Sequence, residues 1–399
     1  SMLDHATSSS SPSLQRWAAA TLRHLITEDQ RRACVYSSGP LKYDSFMNQL
    51  VQTGGVMILC SLLAADDAET RAHATSTLEA VVIATRQIGL ALNTNHLSGG
   101  FSARVGRGTK DDSRIVDAIV SNGGCGPALA HLLISSDESV AMMGCSFASS
   151  LLAPLLTDPR GSGAALQQCI STSSGGFKAK DDGLSSYREA ALALVVGESG
   201  EVSCLPSLIQ ILRSGVETNS WGAGPSRSMK LQVVAGECLA AIALAVGHIV
   251  GSSSTTDSSG DHHSSLYFRA KEALQTMEQE QMCSVAYAIV TSPSHSSFDP
   301  SRNTPQSRLR ESSGLILLAL SSCSDISASY LVSNKAVLNL LNIASESLGA
   351  PSAIRGDWAS RGLCHLETAA LLLLRSWKDD DASCLSLLLE SLDAGAVGL

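Results

Sequence analysis

Apolar positions recur at helical spacing along this 399-residue chain, and this pattern predicts α-helices rather than strands. Clear examples run from Met229 to Val246, from Arg308 to Ser321 and from Trp358 to Trp377, all rich in small or aliphatic residues. The shorter run from Ser203 to Ser214 carries a proline in its first turn, where the missing backbone N–H costs nothing. The pattern predicts an all-α fold.

The predicted helices follow one another in a recurring order, which is typical of a repeat protein. An apolar stretch ends in small residues, an amphipathic run of about ten residues follows, and a longer helix rich in alanine and leucine completes the unit. The clearest copies are Phe46 to Ala84 and Ser113 to Leu152. Both place Gly-Gly between the first and second helices, where small residues permit a tight crossing. Partial copies, Leu14 to Ile26 and Cys384 to Leu392, stand near the two ends.

The two Gly-Gly units and the run from Ser333 to Leu341 resemble the armadillo repeat, a three-helix unit of about forty residues. The resemblance implies a right-handed superhelical α-α solenoid of about six to eight units, as one array over residues 1–399. A HEAT-type solenoid stays open for the looser units. In either case no unit buries its apolar sides alone, whereas stacked units share one core.

Insertions rich in serine, glycine and aspartate separate several helices. Their low hydrophobicity and lack of helical period predict exposed or disordered loops, near residues 93–112, 171–186, 215–228, 251–265 and 292–307. Both ends of the sequence interrupt the helical pattern, and we expect a fragment of a larger protein.

Charge and cysteine content narrow the classes of partner and compartment. The net charge of −9 argues against a nucleic-acid partner. Eleven cysteines without a C-x-x-C pair are typical of core positions in a reducing compartment, so we expect a cytoplasmic or nuclear protein, or one held at endomembranes through other domains. The longest apolar stretches, such as Leu239 to Val250, are expected to be too short for direct membrane insertion.

The motifs of common enzymes and metal sites are not found in the sequence. Gly100 to Lys110 has the wrong spacing for a phosphate-binding loop, and His262 and His263 lack a cysteine or a helical partner for zinc. We therefore predict no catalytic residue, metal or cofactor, and no enzymatic activity. Ser292 and Thr304, each followed by proline, are predicted phosphorylation sites.

The armadillo resemblance also implies a groove that is lined by the third helices and binds peptides. Its usual ladder of Trp and Asn is absent, since the aligned positions hold Ser76 and Ala80 in one unit and Glu237 in another. Scattered charged residues are the alternative groove contacts, although solvated helix arginines would give the same pattern. The predicted groove residues are Arg16, Arg23, His24, Arg71, Ser76, Glu237 and Arg361.

The function expected from these patterns is a non-catalytic scaffold that binds a partner protein, as a peptide, helix or domain, through the groove or the loops. The alternative is a homo-oligomerisation module that pairs through the apolar segment from Cys384 to Leu392. Either module would suit a larger multidomain protein such as a ubiquitin ligase or an endosomal trafficking protein.

Overall fold

The structure is a computed structural model in which every described element is an α-helix, so the all-α prediction is confirmed. It describes residues 11–35, 50, 55–63, 65–95, 116, 132–133, 135, 137–157, 184–196, 204–217, 228–252, 261–292, 304–348 and 359–379. The helices are α1 (Pro12–Val35), α2 (Gly55–Leu62), α3 (Ala68–Asn95), α4 (Glu138–Thr157), α5 (Ser185–Val195), α6 (Leu205–Glu217), α7 (Met229–Ser252), α8 (Asp261–Gln279), α9 (Met282–Thr291), α10 (Pro305–Cys323), α11 (Asp325–Ser333), α12 (Ala336–Leu348) and α13 (Ala359–Asp379).

The chain divides into two compact units. Unit 1 comprises Ser1–Pro154 and Asp181–Cys204, and unit 2 comprises Leu155–Lys180 and Leu205–Leu399. Unit 1 therefore holds α1, α2, α3, α5 and most of α4, while unit 2 holds α6 to α13. A single continuous array over residues 1–399 stays a prediction.

In unit 1, α3 packs against both α1 and α2. Leu22 and Ile26, four residues apart on α1, are buried, as is Leu78 on α3; this spacing puts apolar side chains on one side of a helix. α3 begins after Asp67, whose carboxylate accepts the backbone N–H of Thr70 at 2.9 Å and so caps the first turn. The cap fixes the start of the helix that carries several predicted groove residues.

In unit 2, α10 is the central helix and packs against α7, α9, α11 and α13. Arg375 of α13 holds the end of α10, because its guanidinium donates to the carbonyl of Ser322 at 2.9 Å and to Asp325 Oδ1 at 2.8 Å. α10 and α13 are thereby joined through charged and carbonyl groups as well as through apolar packing.

The second and third helices of two trios in unit 2, α8 to α10 and α11 to α13, repeat with a constant spacing. α12 begins 54 residues after α9 (336 against 282), and α13 begins 54 residues after α10 (359 against 305). The spacing exceeds that of a plain armadillo unit because a long connection separates the second and third helices of each trio. The predicted helices of this region are confirmed, with ends displaced by a few residues.

The structure places helices inside several segments that the composition predicts as loops. α8 begins at Asp261, within the predicted loop 251–265, and α10 begins at Pro305, within the predicted loop 292–307. α3, α5 and α6 extend into the remaining predicted loops by two or three residues each, and α7 extends to Ser252, within the loop 251–265. Apart from Leu184, Ser228, Ser292 and Thr304, the other positions of these predicted loops lie outside the described residues. The segment from Cys384 to Leu392 lies outside them as well.

Two helices are long and apolar enough to span a membrane by length and composition, over Glu138–Leu156 and Met229–Gly251. The bent pair α10 and α11 passes the same test as one broken span. The expectation that apolar stretches are too short is therefore wrong. In the second window 67% of the residues are buried inside the protein, because α6, α8 and α10 all pack against α7. A helix that is apolar all round is typical of a buried core helix as well as of a membrane span.

Candidate protein-binding surface

Arg16, a predicted groove residue, joins α1 to the start of α3. Its Nε lies 3.1 Å from Asp67 Oδ2 and its Nη2 lies 2.7 Å from Oδ1, while Nη1 lies 2.9 Å from Glu69 Oε2. The hydrogen bond from Arg16, followed by that from Thr70, holds the pKa of Asp67 far below its ordinary value. Arg16 therefore has a partner within the fold, and the same carboxylate that caps α3 anchors it.

Arg71 is also occupied within unit 1. Its Nη1 donates to the carbonyl oxygens of Ala65 and Asp66, at 2.6 and 2.8 Å. These carbonyls belong to the connection between α2 and α3, so Arg71 fixes that connection. The role of Arg16 and Arg71 as groove contacts stays a prediction.

The other predicted groove residues of unit 1 lie on the outer sides of α1 and α3. Arg23 Nη1 lies 3.5 Å from His73 Nδ1 on α3, His24 is exposed, and Ser76 is half-buried. Further along α3, Glu79 Oε1 accepts hydrogen bonds from Ser146 and Ser150 of α4. α1, α3 and α4 are thus linked by polar side chains in sequence order.

An apolar patch on α1 accompanies these residues. Trp17 is 64% exposed, Leu14 is 50% exposed and Leu25 is 37% exposed. At 100° per residue, Trp17 and His24 lie on one face, with Leu14 and Leu25 on the flank away from Arg16 and Arg23. We call Leu14, Trp17, His24 and Leu25 the α1 patch.

Trp17 is a residue that the sequence analysis missed. In the partial unit from Leu14 to Ile26, the ladder positions of the armadillo repeat align with Ala20 and His24, and Trp17 lies one turn before the first of these. Its exposure depends on which side of α1 meets α3, and helical periodicity alone does not determine this for a helix with apolar residues on several sides.

In unit 2, the predicted groove residue Glu237 is bound by Arg308. Arg308 Nε lies 2.8 Å from Glu237 Oε1, and Nη2 contacts the same oxygen. The Glu237 side chain is 18% exposed and that of Arg308 is 44% exposed, so the pair joins α7 to α10 near the surface. Arg361 belongs to α13, but its side chain lies outside the described residues.

The thiols and acidic groups of the described residues are not arranged as a reactive centre. Burial raises the pKa of Cys204 and of Cys283 to about 12, and a protonated thiol is a poor nucleophile. Within the described part of the chain, no three His, Cys, Asp or Glu side chains are grouped so that they could hold a metal ion. The side chains of His262 and His263 are outside that part.

No protein family matches the sequence, and no curated protein matches it. Two engineered proteins from the Northeast Structural Genomics Consortium resemble the structure, and one of them aligns over 93% of this chain and 96% of its own at 17% identity, with a TM-score of 0.46. The other aligns over 92% of this chain and 96% of its own at 14% identity, with a TM-score of 0.44. A designed armadillo repeat protein aligns over 93% of this chain and 98% of its own at 10% identity, with a TM-score of 0.42.

A designed armadillo repeat protein is thus among the solved structures that this chain resembles. Because these TM-scores lie below 0.5, the assignment of helices to repeats depends on their order and packing within each unit. The alignments identify neither a partner nor a binding residue.

Proposed function

We propose that this chain is a non-catalytic scaffold that binds a partner protein through the α1 patch. The observation that carries the proposal is the exposure of Trp17 between Leu14 and Leu25 on one side of α1. Exposed apolar patches are typical of interaction sites, and tryptophan is enriched among the residues that contribute most to binding.

The chemistry of the α1 patch favours an amphipathic helix of another protein as the partner. Arg16 is occupied by Asp67 and Glu69, so the patch offers mainly apolar surface, with His24 on its side nearer to Arg16 and Arg23. An apolar helix face recognises such a surface through side chains at i, i+3, i+4 and i+7. The absent ladder of Trp and Asn argues against an extended peptide held by side-chain amides.

The test compares the full chain with two serine variants, Trp17→Ser and Phe268→Ser. Phe268 is 68% exposed on α8, so it is a matched aromatic control in unit 2. Proteins captured from cell extract by each variant are compared by quantitative mass spectrometry, and a captured protein is then purified and titrated calorimetrically. We expect Trp17→Ser to weaken its binding about 30-fold, which corresponds to about 2 kcal/mol, and Phe268→Ser to leave it unchanged.

Thermal melts of both variants exclude loss of folding as the cause, because exposed side chains contribute little to stability. Equal affinity for the wild-type chain and Trp17→Ser would contradict the proposal. Concentration-dependent light scattering tests the alternative of homo-oligomerisation: association that is abolished by Trp17→Ser would make a second copy the occupant of the patch. Location in the cytoplasm or nucleus stays a prediction.

A further inference from the structure

Thr304 is a half-buried threonine at the start of α10, the central helix of unit 2. Its backbone is extended, with φ −84° and ψ 154°, and its hydroxyl oxygen accepts the N–H of Ser307 at 3.2 Å. The Ser307 hydroxyl donates in return to the carbonyl of Thr304 at 2.9 Å. Pro305 and Gln306, which follow, are exposed. A hydroxyl is therefore presented in an extended Thr-Pro segment.

One turn further along α10 lies the Glu237–Arg308 pair. Residues four apart lie on the same helix side, so the guanidinium of Arg308 is within reach of a group attached to Thr304. At present Arg308 binds Glu237 of α7 through Nε at 2.8 Å. Because its side chain is 44% exposed, it has room to change partner.

We propose that Thr304 is a phosphorylation site and that its phosphate takes Arg308 away from Glu237. The Oγ1 oxygen attacks the terminal phosphorus of a nucleoside triphosphate on a proline-directed kinase. The new Oγ1–P bond replaces the bond to the leaving nucleoside diphosphate, and the hydroxyl proton passes to the base of the kinase. No oxidation or reduction accompanies this step.

The phosphate binds Arg308 more strongly than the carboxylate of Glu237 does. It carries about two negative charges near neutral pH and three acceptor oxygens, and guanidinium binds phosphate through parallel hydrogen bonds. It also lies at the first turn of α10, where negative charge is favoured by the helix dipole. Glu237, half-buried on α7, loses this cation, so the surface where α7 meets α10 becomes more acidic.

Ser292, the second predicted phosphorylation site, stands in the opposite electrostatic setting. It directly follows α9, and its N–H donates to the carbonyl of Ile289 at 3.4 Å. A phosphate there would meet the negative end of the helix dipole, which is destabilising. The nearby Arg310 is buried, and its Nε donates to the carbonyl of Val290 at 3.0 Å. The structure therefore distinguishes Thr304 from Ser292, although in the sequence both are hydroxyl residues followed by proline.

The first experiment incubates the folded full chain with a purified proline-directed kinase and ATP and maps the phosphate by mass spectrometry. Thr304→Ser keeps both hydroxyl and cap, whereas Thr304→Val removes the acceptor. We expect phosphate on Thr304 in the wild-type chain, on the new serine in Thr304→Ser, and none at this position in Thr304→Val. A folded chain that stays unmodified at Thr304 overturns the site.

The second experiment measures the partner exchange on the full chain, with phosphothreonine incorporated at position 304 or phosphoserine at position 292. A ³¹P titration reports the second pKa of each phosphate, which is about 6 for an unperturbed group. For position 304 we expect a pKa about half a unit lower, returning towards 6 in Arg308→Gln and falling further in Glu237→Gln. The phosphate at position 292 is the internal control and should not respond to either variant. Equal pKa values at position 304 in the wild-type chain and Arg308→Gln overturn the exchange.

Discussion

The junction between the first and second helices of a repeat is built differently in the two units. In unit 1 the second helix, α2, begins at the buried Gly55, where an added Cβ would lie 2.3 Å from Leu50 Cδ1 and 2.8 Å from the Leu50 carbonyl oxygen. In unit 2 the residues before α9 and α12 are Gln281 and Lys335, with positive φ angles of 54° and 55°. Both of these side chains are exposed.

The difference shows that the junction of first and second helices imposes a different constraint in each unit, and the Gly-Gly pair is found only at the junction of unit 1. Gly55 is required because the side chain and the carbonyl oxygen of Leu50 leave no room for a Cβ at this position, and this is a constraint on space. Gln281 and Lys335 occupy the left-handed region that favours glycine, and this is a constraint on backbone conformation with space to spare. The predictions below test whether the two junctions respond to substitution as these constraints require.

The largest expected effect is that of Gly55→Ala in unit 1. The new methyl group meets the backbone oxygen of Leu50, which yields less readily than a flexible side chain, so we expect a loss of about 3 kcal/mol. Lys335→Ala is the matched substitution in unit 2. It keeps the left-handed conformation with a Cβ already present, so we expect a change below about 0.5 kcal/mol.

Urea unfolding gives the free energies of both variants, and hydrogen exchange read on α2 and α3, or on α9 to α12, assigns each loss to a unit. Comparable losses in Gly55→Ala and Lys335→Ala would remove the distinction between constraint on space and constraint on conformation.

The second prediction concerns the pH at which each unit begins to lose stability. His365 on α13 is buried, and an added Cβ on Gly314 of α10 would lie 2.5 Å from its Cε1, so the ring fills the space beside that glycine. Burial, and then the charge of Arg310, lowers the pKa of His365 from 6.5 to about 3. The neighbouring Cys364 is a neutral thiol, because burial and the charges of Glu311 and Glu367 raise its pKa.

The sign follows from where the proton binds. Below pH 6.5 His365 binds a proton in the unfolded chain but stays neutral in the folded chain. The free energy of unfolding of unit 2 therefore falls by about 2 kcal/mol by pH 5 and continues to fall towards pH 3. The pKa of Asp67 in unit 1 is lowered from 3.8, so the stability from its pair with Arg16 is present above that pH and is lost only below it.

Hydrogen exchange on α13 and on α3, measured from pH 7 to pH 4 and corrected for intrinsic rates, compares the two units. His365→Leu should flatten the response of α13 above pH 5 while leaving that of α3 unchanged. A wild-type α13 whose protection is constant from pH 7 to pH 5 contradicts the assigned titration.

Helical periodicity predicted most of the helix order because it reports local burial. The predicted run from Met229 to Val246 corresponds to α7, and the run from Arg308 to Ser321 corresponds to α10. The start of α10 at Pro305 was missed, although Thr304 followed by proline is a helix start signal. α8 was missed because its first turn, Asp261 to Ser264, is polar and continues the composition of the preceding insertion.

The candidate site was harder to predict than the fold because it depends on which helix sides meet. Arg308 and Glu237 are 71 residues apart, and Arg16 and Asp67 are 51 apart. Sequence spacing carries no signal for such pairs, so the partners that Arg16 and Glu237 have within the fold could not be predicted. The exposure of Trp17 has the same origin, since it follows from the packing of α3 on the other side of α1.

The smallest predicted effect is a gain, produced by Lys335→Gly or Gln281→Gly in unit 2. A residue with a Cβ in the left-handed region costs about 1 to 2 kcal/mol relative to glycine, while glycine adds freedom to the unfolded chain that costs about 0.4 to 1 kcal/mol. The difference is a net stabilisation of about 0.5 to 1 kcal/mol for each substitution.

The two substitutions should be additive, since they lie at different junctions, one before α9 and the other before α12. Lys335→Gly and Lys335→Ala form the matched pair at this position. Both remove the charged side chain, and only glycine removes the cost of a Cβ in the left-handed region. Equal unfolding free energies for these two variants would mean that the left-handed conformation costs no more than the freedom that glycine adds to the unfolded chain, about 0.4 to 1 kcal/mol. The junctions of unit 2 would then need no glycine for either reason, and the contrast with Gly55 would be one of space alone.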